Sequence, residues 1–541
     1  MKREDPGLGF FPIDLKDMNT SKRRRPPLPY PEESVSHFLK NTAQRLPHKT
    51  AVIDVQGGRK LTFLEVDRES DALAQAFLDW GIRKGDRVSF FMPNGWEYFV
   101  GFYAAMKIGA IVSPMNPTLR QREVKEQVND AESRVLLTLQ DFFPIVEKIL
   151  SHMPSLEKVI LTRGKGLSGG RVFFLQDFLP KYSARLSLKP SPIRAKTDLA
   201  ALPYSSGTAG LSKGVMITHF NLVSNAIQSM DAVGARATDI FISFLPFHHI
   251  YGFTYFLCGS VYLGATQVVM SRFHAEECLA LMEKYRVTLI FGVQPALLAF
   301  LNVPNLERFD LSSLRYIWIG AAPLVPAIAR TIQEKFRVPI ARHYGLSEAS
   351  PTTHCNPPDR PKEGSVGIAV SDLEDKIMDW DTGKKEMEVG EAGELAVRGP
   401  NVFQGYWKHP EDTQLALRDG WLYTGDIARM DEEGYVFILD RKKEMIKYRG
   451  YQIAPAELEA ILMEHPAIQD CAVVGIPEEN LGEIPKAFIV RKEGVDLSAE
   501  EVMAFVAERV APYKKIREVT FIHEIPKNPS GKILRRVLKV G

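Results

Sequence analysis

Short apolar, β-branched runs alternate with longer helical patterns through most of the chain, and this alternation constrains the fold class more than any other feature. "RVSFFMP" precedes "WEYFVGFYAAMKIG", which precedes "AIVSPMN". Further on "TLIFGV" precedes "QPALLAFL", and "YIWIGAAPL" precedes "VPAIARTIQEKF". Strands separated by helices predict an α/β domain of mainly parallel sheets. The chain has 541 residues, too many for one compact core, so at least two domains are expected. Near residue 440 the texture changes. "LDRKKEMIKYRGYQIAP" concentrates basic residues beside a glycine. After it come a helical pattern over 455–464, strands in "CAVVGIP" and "PKAFIVR", a helix in "SAEEVMAFVAERV" and a strand in "REVTFIHEIP". These predict a separate, small α+β domain of roughly 100 residues. The expected organisation is an N-terminal arm over 1–33, a large domain over 34–439 and a small domain over 444–541.

Several function classes are disfavoured. With 68 basic and 66 acidic residues the formal charge is only +2, which gives no global field for nucleic acid or membrane. Cys258, Cys278, Cys355 and Cys471 lie far apart without a CxxC pair, so they read as reduced thiols of a cytoplasmic compartment. The start, Met-Lys-Arg-Glu-Asp, has no apolar signal-peptide region, and the last residues do not form a Ser-Lys-Leu peroxisomal address. Phe241 to Met270 carries no charged residue and is long enough to span a bilayer. Its Pro246, paired histidines and glycines instead predict a buried strand, loop and helix. "SKRRRPPLPYPEE" reads as an extended arm over the surface, because its prolines cannot continue a helix.

"YSSGTAGLSKGV", Tyr204 to Val215, has the chemistry of an anion-binding loop. Gly207, Gly210 and Gly214 let backbone N–H groups approach an anion. Ser205, Ser206 and Thr208 add hydroxyl donors, and Lys213 adds positive charge. A Walker loop requires glycine before the lysine, and here Ser212 stands there, so that reading fails.

The stretch resembles the signature loop of the adenylate-forming superfamily, which holds acyl-CoA synthetases, 4-coumarate–CoA ligases, beetle luciferases and peptide-synthetase adenylation domains. It departs from the usual pattern at Ala209, where a second threonine is common, and at Ser212, where proline is. The lost hydroxyl removes one potential phosphate donor. Further motifs follow in family order: "GAAPL" from Gly320, "YGLSEASP" from Tyr344, the block from Tyr423 to Glu459, and "PKNPSGKILRR" from Pro526. The resemblance covers about residues 35 to 541.

The resemblance implies an ATP-dependent carboxylate–CoA ligase working through an acyl-adenylate, with ATP, Mg2+ and CoA as cofactors and a small carboxylic acid as substrate. It implies that Ser205, Ser206, Gly207, Thr208, Ala209 and Lys213 close over the phosphates, with Thr208 and Glu348 near magnesium. Ala321, Ala322, Arg342, His343, Tyr344 and Ser347 would border the nucleotide, with Tyr344 against adenine. Asp426 would accept the ribose hydroxyls, helped by Arg441. Lys532 would touch both the carboxylate and the α-phosphate. Residues 440–443, including Lys443, would be a hinge about which the small domain rotates as a mobile lid. Lys447 and Gln452 would contact the nucleotide in one pose, while Lys447, Arg449 and Gly450 serve the thioester step in the other. Arg272 matches a basic position near the CoA nucleotide.

"LPFHHIYG" resembles the segment lining the acid pocket, contributing His248, His249 and Tyr251. Trp318 and His343 stand where smaller side chains are frequent, which predicts a short or narrow cavity for a small, cyclic, aromatic or medium-chain acid. A long-chain fatty acid, a luciferase-like oxygenase and a peptide-synthetase-type module are the alternatives. The resemblance leaves a homodimer open.

Overall fold

Two large twisted sheets of mainly parallel strands carry the large domain. In the first, Thr50–Asp54, Thr266–Val269, Ile240–Ser243, Leu289–Gly292, Tyr316–Ile319 and Ile340–Gly345 lie side by side, all parallel. Thr352–Cys355 and Ile368–Ala369 extend one edge antiparallel, and Arg59–Thr62 extends the other. In the second, Val172–Phe174, Lys158–Thr162, Ser133–Leu139, Arg87–Phe91, Ile111–Met115 and Leu199–Ala201 are parallel neighbours. Lys213–Thr218 and Gly405–Tyr406 close that sheet antiparallel. This computed structural model describes residues 24–166, 169–183, 188–189, 192–205, 213–321, 324, 326–449, 451–478, 481–527 and 532–540.

The helices form where the sequence pattern places them. Phe63–Asp79 starts at a reciprocal cap: Thr62 Oγ1 accepts from the Glu65 amide at 3.2 Å, and the Glu65 carboxylate accepts from the Thr62 amide at 2.7 Å. Trp96–Ile108 is buried almost all round, which is why its sequence lacks a polar face. It stops at Gly109, whose φ of 70° suits a residue without Cβ. The uncharged stretch from Phe241 resolves into strand, turn, helix and strand, consistent with its Pro246 and glycines. Its helical part runs over 250–263 and is π-wound over Phe253–Gly259. No helix among the described residues is long and apolar enough to cross a membrane.

A third sheet, antiparallel, was not apparent from the sequence pattern. Glu374–Met378, Gly393–Arg398 and Trp421–Met430 pair in order, and Leu417–Arg418 and Val436–Arg441 both pair with Trp421–Met430. One apolar core runs continuously from Val35 to Val436 through these sheets. The smaller C-terminal domain has cores of its own, including Ile446, Leu458, Val473, Ile489 and Val506. Its sheet joins Tyr451–Ile453, Ile446–Tyr448, Gly482–Arg491, Ile468–Glu478 and Glu518–Phe521. The described part of the N-terminal arm lies along the surface. Tyr30 and the Leu28 amide both donate to Asp372, at 2.7 and 3.0 Å. Residues 1–23 of the arm lie outside the described residues. All four cysteines are buried and unbridged.

Candidate active site

Strand Ile340–Gly345 divides the site. Successive side chains point to opposite faces, so Arg342 and Tyr344 share one face while Ala341 and His343 share the other. On the first face the Tyr344 hydroxyl donates to Asp426 Oδ2. Asp426 stands directly across the antiparallel ladder from Arg441, whose Nε lies 2.7 Å from Oδ1. Burial raises the Asp426 pKa, and the Arg441 charge opposes that rise. Next to Arg441, Lys442 holds buried Glu394 at 2.8 Å, and Glu394 also accepts from the Gly425 amide at 3.1 Å. The turn that presents Asp426 is therefore fixed from both sides. Arg342 donates to the Gly364 carbonyl at 3.2 Å, and burial lowers its pKa to about 10.

Lys532, from the far end of the chain, reaches this cluster. Burial of its ammonium, with the charges of Arg441 and Lys443, lowers its pKa to about 8, while Asp426 pulls the other way. The residue as a whole keeps exposed surface, so it enters from the rim. Lys443 lies 3.8 Å from Glu444.

Glu348 sits at the adjoining corner, in the short turn Ser347–Ala349. Its Oε1 accepts from the Tyr406 hydroxyl at 2.8 Å, and its carbonyl accepts from the Phe403 amide at 2.9 Å. Tyr406 pairs with Val215 in the second sheet, which brings Lys213 to within 5.6 Å of the Tyr406 ring. Lys213 forms an ion pair with Asp412 at 2.6 Å. Across the ladder Lys213 faces Ser205 and Gly214 faces Tyr204, so the strands flanking the Ser/Gly segment pair antiparallel. Ser206, Gly207, Thr208 and Ala209, and the Ser205 side chain, lie outside the described residues. The Glu348 carboxylate has the donor chemistry that a phosphate-bound magnesium ordinarily uses, a hard oxygen completed by phosphate and water.

The opposite face of the strand forms the candidate acid pocket. His343 Nδ1 lies 2.7 Å from the Tyr255 hydroxyl, and the His343 and Tyr251 ring centroids are 4.7 Å apart. Trp318 is fully buried and stacks on Tyr316 at 4.4 Å. Any Cβ added at Gly320 would lie 2.3 Å from His343 Nε2, so the imidazole fills the space over that glycine. Burial lowers the pKa of His343 and His248 to about 3 and that of His249 to about 4, so all three are neutral. His249 Nδ1 accepts from the Tyr251 amide at 3.3 Å. Among the described residues no group of three His, Cys, Asp or Glu side chains could hold a metal ion.

Other expected residues stand apart. Arg272 is exposed on the large domain. Lys447 is exposed on the small-domain sheet, with its amide donating to Glu483 at 2.9 Å. Arg449 takes a left-handed φ of 47°, and its amide donates to the Leu481 carbonyl at 2.9 Å. Gln452 is opposite Lys447 in the ladder. Ala321 has a φ of 64°, unusual for a residue with Cβ, at the loop after Gly320. Gly450 and Ala322 lie outside the described residues. Tyr406, Glu394, Asp412 and Tyr255 were missed from sequence. An aromatic pair in the "QGYWKH" loop was the one available signal for Tyr406.

Residues 39–407 match the family described as AMP-binding enzyme. The chain belongs to the AMP-binding enzymes. Residues 457–532 match the C-terminal domain of the same family, so both domains of this AMP-binding enzyme are accounted for. It is 39% identical to 4-coumarate–CoA ligase-like 9 of Oryza sativa subsp. japonica, covering 96% of this chain and 94% of that one. It is 35% identical to a long-chain-fatty-acid–CoA ligase of Bacillus subtilis (strain 168), over 99% and 98%. Among solved structures, the anthranilate CoA ligase AuaEII in complex with anthranoyl-AMP is 28% identical, with a TM-score of 0.87 over 95% of this chain and 98% of that one.

Proposed function

We propose that this AMP-forming acid–thiol ligase joins a small, cyclic, aromatic or medium-chain carboxylic acid to coenzyme A. The carboxylate attacks the α-phosphate of ATP, pyrophosphate leaves, and the CoA thiol then displaces AMP from the acyl-adenylate. Attack of one anion on another is slow without charge neutralisation and alignment, and the residues supply both.

The observation that carries the reading is the meeting of Lys532 with Asp426 and Arg441. A compact ammonium on a flexible stem can touch the acid and the α-phosphate together. Asp426 retains lone pairs beyond those taken by Tyr344 and Arg441, enough to accept the ribose hydroxyls. Lys213 would leave Asp412 for the β- and γ-phosphates as the Ser/Gly loop folds over them. Glu348, and Thr208 in that loop, would hold magnesium, which neutralises charge on the departing pyrophosphate. For the second step the small domain would turn about 440–443. Lys447, Arg449 and Gly450 would then face the adenylate, with Arg272 near the CoA nucleotide.

Trp318, His343 and Gly320 support the size of the acid: two large side chains crowd one face of the sheet, and the His343 ring fills the space over the glycine. The rice relative named for 4-coumarate agrees with an aromatic acid. The Bacillus relative named for long-chain fatty acids favours the alternative. A panel of acids with ATP and CoA, read by pyrophosphate and thioester formation, tests both. Butyrate, octanoate or benzoate should outrun palmitate, and palmitate outrunning all three rejects the size assignment.

A further inference from the structure

Helix Pro455–Leu462 belongs to the small domain, and its own sequence does not cap it. Ala454 stands at the N-cap without a side-chain oxygen, and Pro455 follows without an N–H. The Glu457 amide turns back to the Ala454 carbonyl at 3.2 Å. The Ala456 amide instead donates to Asp440 Oδ2 at 2.8 Å. Asp440 is part of the other domain: it lies in strand Val436–Arg441 and faces Ile427 across the ladder of the third sheet. Its Oδ1 accepts from the Arg441 amide at 2.7 Å, so both oxygens of this buried carboxylate are used. Asp440 therefore caps a helix of the small domain from the large one.

The capped helix leads on to Lys532. Within the helix, both oxygens of Glu459 lie 2.8 Å from Arg535 Nη2, and Arg535 Nε donates to the Val473 carbonyl at 3.1 Å. Arg535 is three residues beyond Lys532. Between them the Leu534 amide donates to the Pro526 carbonyl at 2.8 Å, which holds the end of the segment that carries the lysine. Burial raises the Asp440 pKa, and the Arg535 charge and the two amide hydrogen bonds oppose that rise. Asp440, the helix, Glu459 and Arg535 thus connect the large domain to the base of Lys532. Beside them a small apolar cluster straddles the boundary, with Ile427 of the large domain against Met445 and Ala454 of the small one.

We infer that Asp440 is a positioning residue for Lys532, capping Pro455–Leu462 in the pose that brings Lys532 to Asp426 and releasing it when the small domain turns for the thioester step. The Asp440 backbone is laddered to the large domain. It stays behind, while the Ala456 amide travels with the small domain. A contact made in one pose alone shifts the balance between poses by its own free energy. The inference rests on the ligase reading above, including rotation about 440–443.

Asp440→Ala should slow ATP–pyrophosphate exchange by about fivefold or more, the scale on which a helix loses its N-cap, while thioester formation from supplied acyl-AMP is kept. Asp440→Asn retains an accepting oxygen and should recover most of the exchange. A second change separates positioning from mere support of the helix. Ala454→Ser puts a hydroxyl at the N-cap itself, so combined with Asp440→Ala it should restore thermal stability but not adenylation. The double variant carries its own cap, so it decides the matter even where Asp440→Ala alone does not fold. Unchanged exchange in Asp440→Ala, equal loss of both half-reactions, an Asn variant as slow as the Ala one, or exchange restored by Ala454→Ser would overturn the inference. Thioester formation by the unmodified enzyme from any acid of the panel above upholds the ligase reading in those cases, and none from all of them would overturn that reading instead.

Discussion

Arg441 stands directly across an antiparallel ladder from Asp426, with its guanidinium Nε 2.7 Å from Oδ1. The pair holds the proposed ribose acceptor at the point where the chain leaves the large domain. Arg441 is also one of the charges that lowers the Lys532 pKa, so a single guanidinium couples the nucleotide side to the small domain.

Asp426→Ala should therefore harm both stability and activity. Loss of a buried carboxylate that fixes a partly exposed arginine is expected to cost about 2 kcal/mol, the exposure of Arg441 screening part of the pair. KM for ATP should rise at the same time. Thermal denaturation and ATP–pyrophosphate exchange measure the two effects separately.

The lowered Lys532 pKa sets a pH dependence. The ammonium is the form that neutralises the carboxylate and phosphate, and its population falls as pH rises through about 8. Adenylation should decline above that pH, whereas thioester formation from supplied acyl-AMP should not follow the same curve. Pre-steady-state measurement of the two half-reactions between pH 6.5 and 9.5, a range spanning roughly one and a half units on each side, checks the sign.

Lys213 tests whether the Asp412 contact is a resting partner. Both side chains are partly exposed, at 29% and 36%, so Asp412→Ala should change stability by less than about 1 kcal/mol. If Lys213 moves to the triphosphate, freeing it should hold or lower KM for ATP. A raised KM would mean that Asp412 orients the lysine for binding instead.

Gly320→Ala should reduce kcat/KM for the best acid by about tenfold or more, since overpacking a filled site forces side chains from their positions. The added methyl would lie 2.3 Å from His343 Nε2. His343→Ala in the same chain should restore much of the loss by vacating that space. Steady-state kinetics of the single and double variants form the cycle.

The parallel sheets and the separate small domain were legible because their strands are continuous apolar runs separated by helical periods. The antiparallel third sheet was not, because "EDKIM" and "GELAVR" mix charges with apolar residues. The π-wound Phe253–Gly259 is buried on all sides, so no periodicity marks it. In the candidate site, Glu348, Asp426 and Lys532 were singled out through contiguous motifs. Tyr406 reaches Glu348 across 58 positions and Tyr255 reaches His343 across 88, and such partners carry no local signal.

In the proposed reaction two surfaces of one small domain would serve the two half-reactions. The most direct measurement compares Lys532→Ala and Lys447→Ala, each shown to be folded, in pyrophosphate release and in thioester formation from supplied acyl-AMP. Lys532→Ala should lose adenylation by about a hundredfold or more, the scale of one charge-stabilising donor, while keeping the thioester step. Lys447→Ala should show the reverse. Equal loss of both steps in both variants would contradict the division of labour.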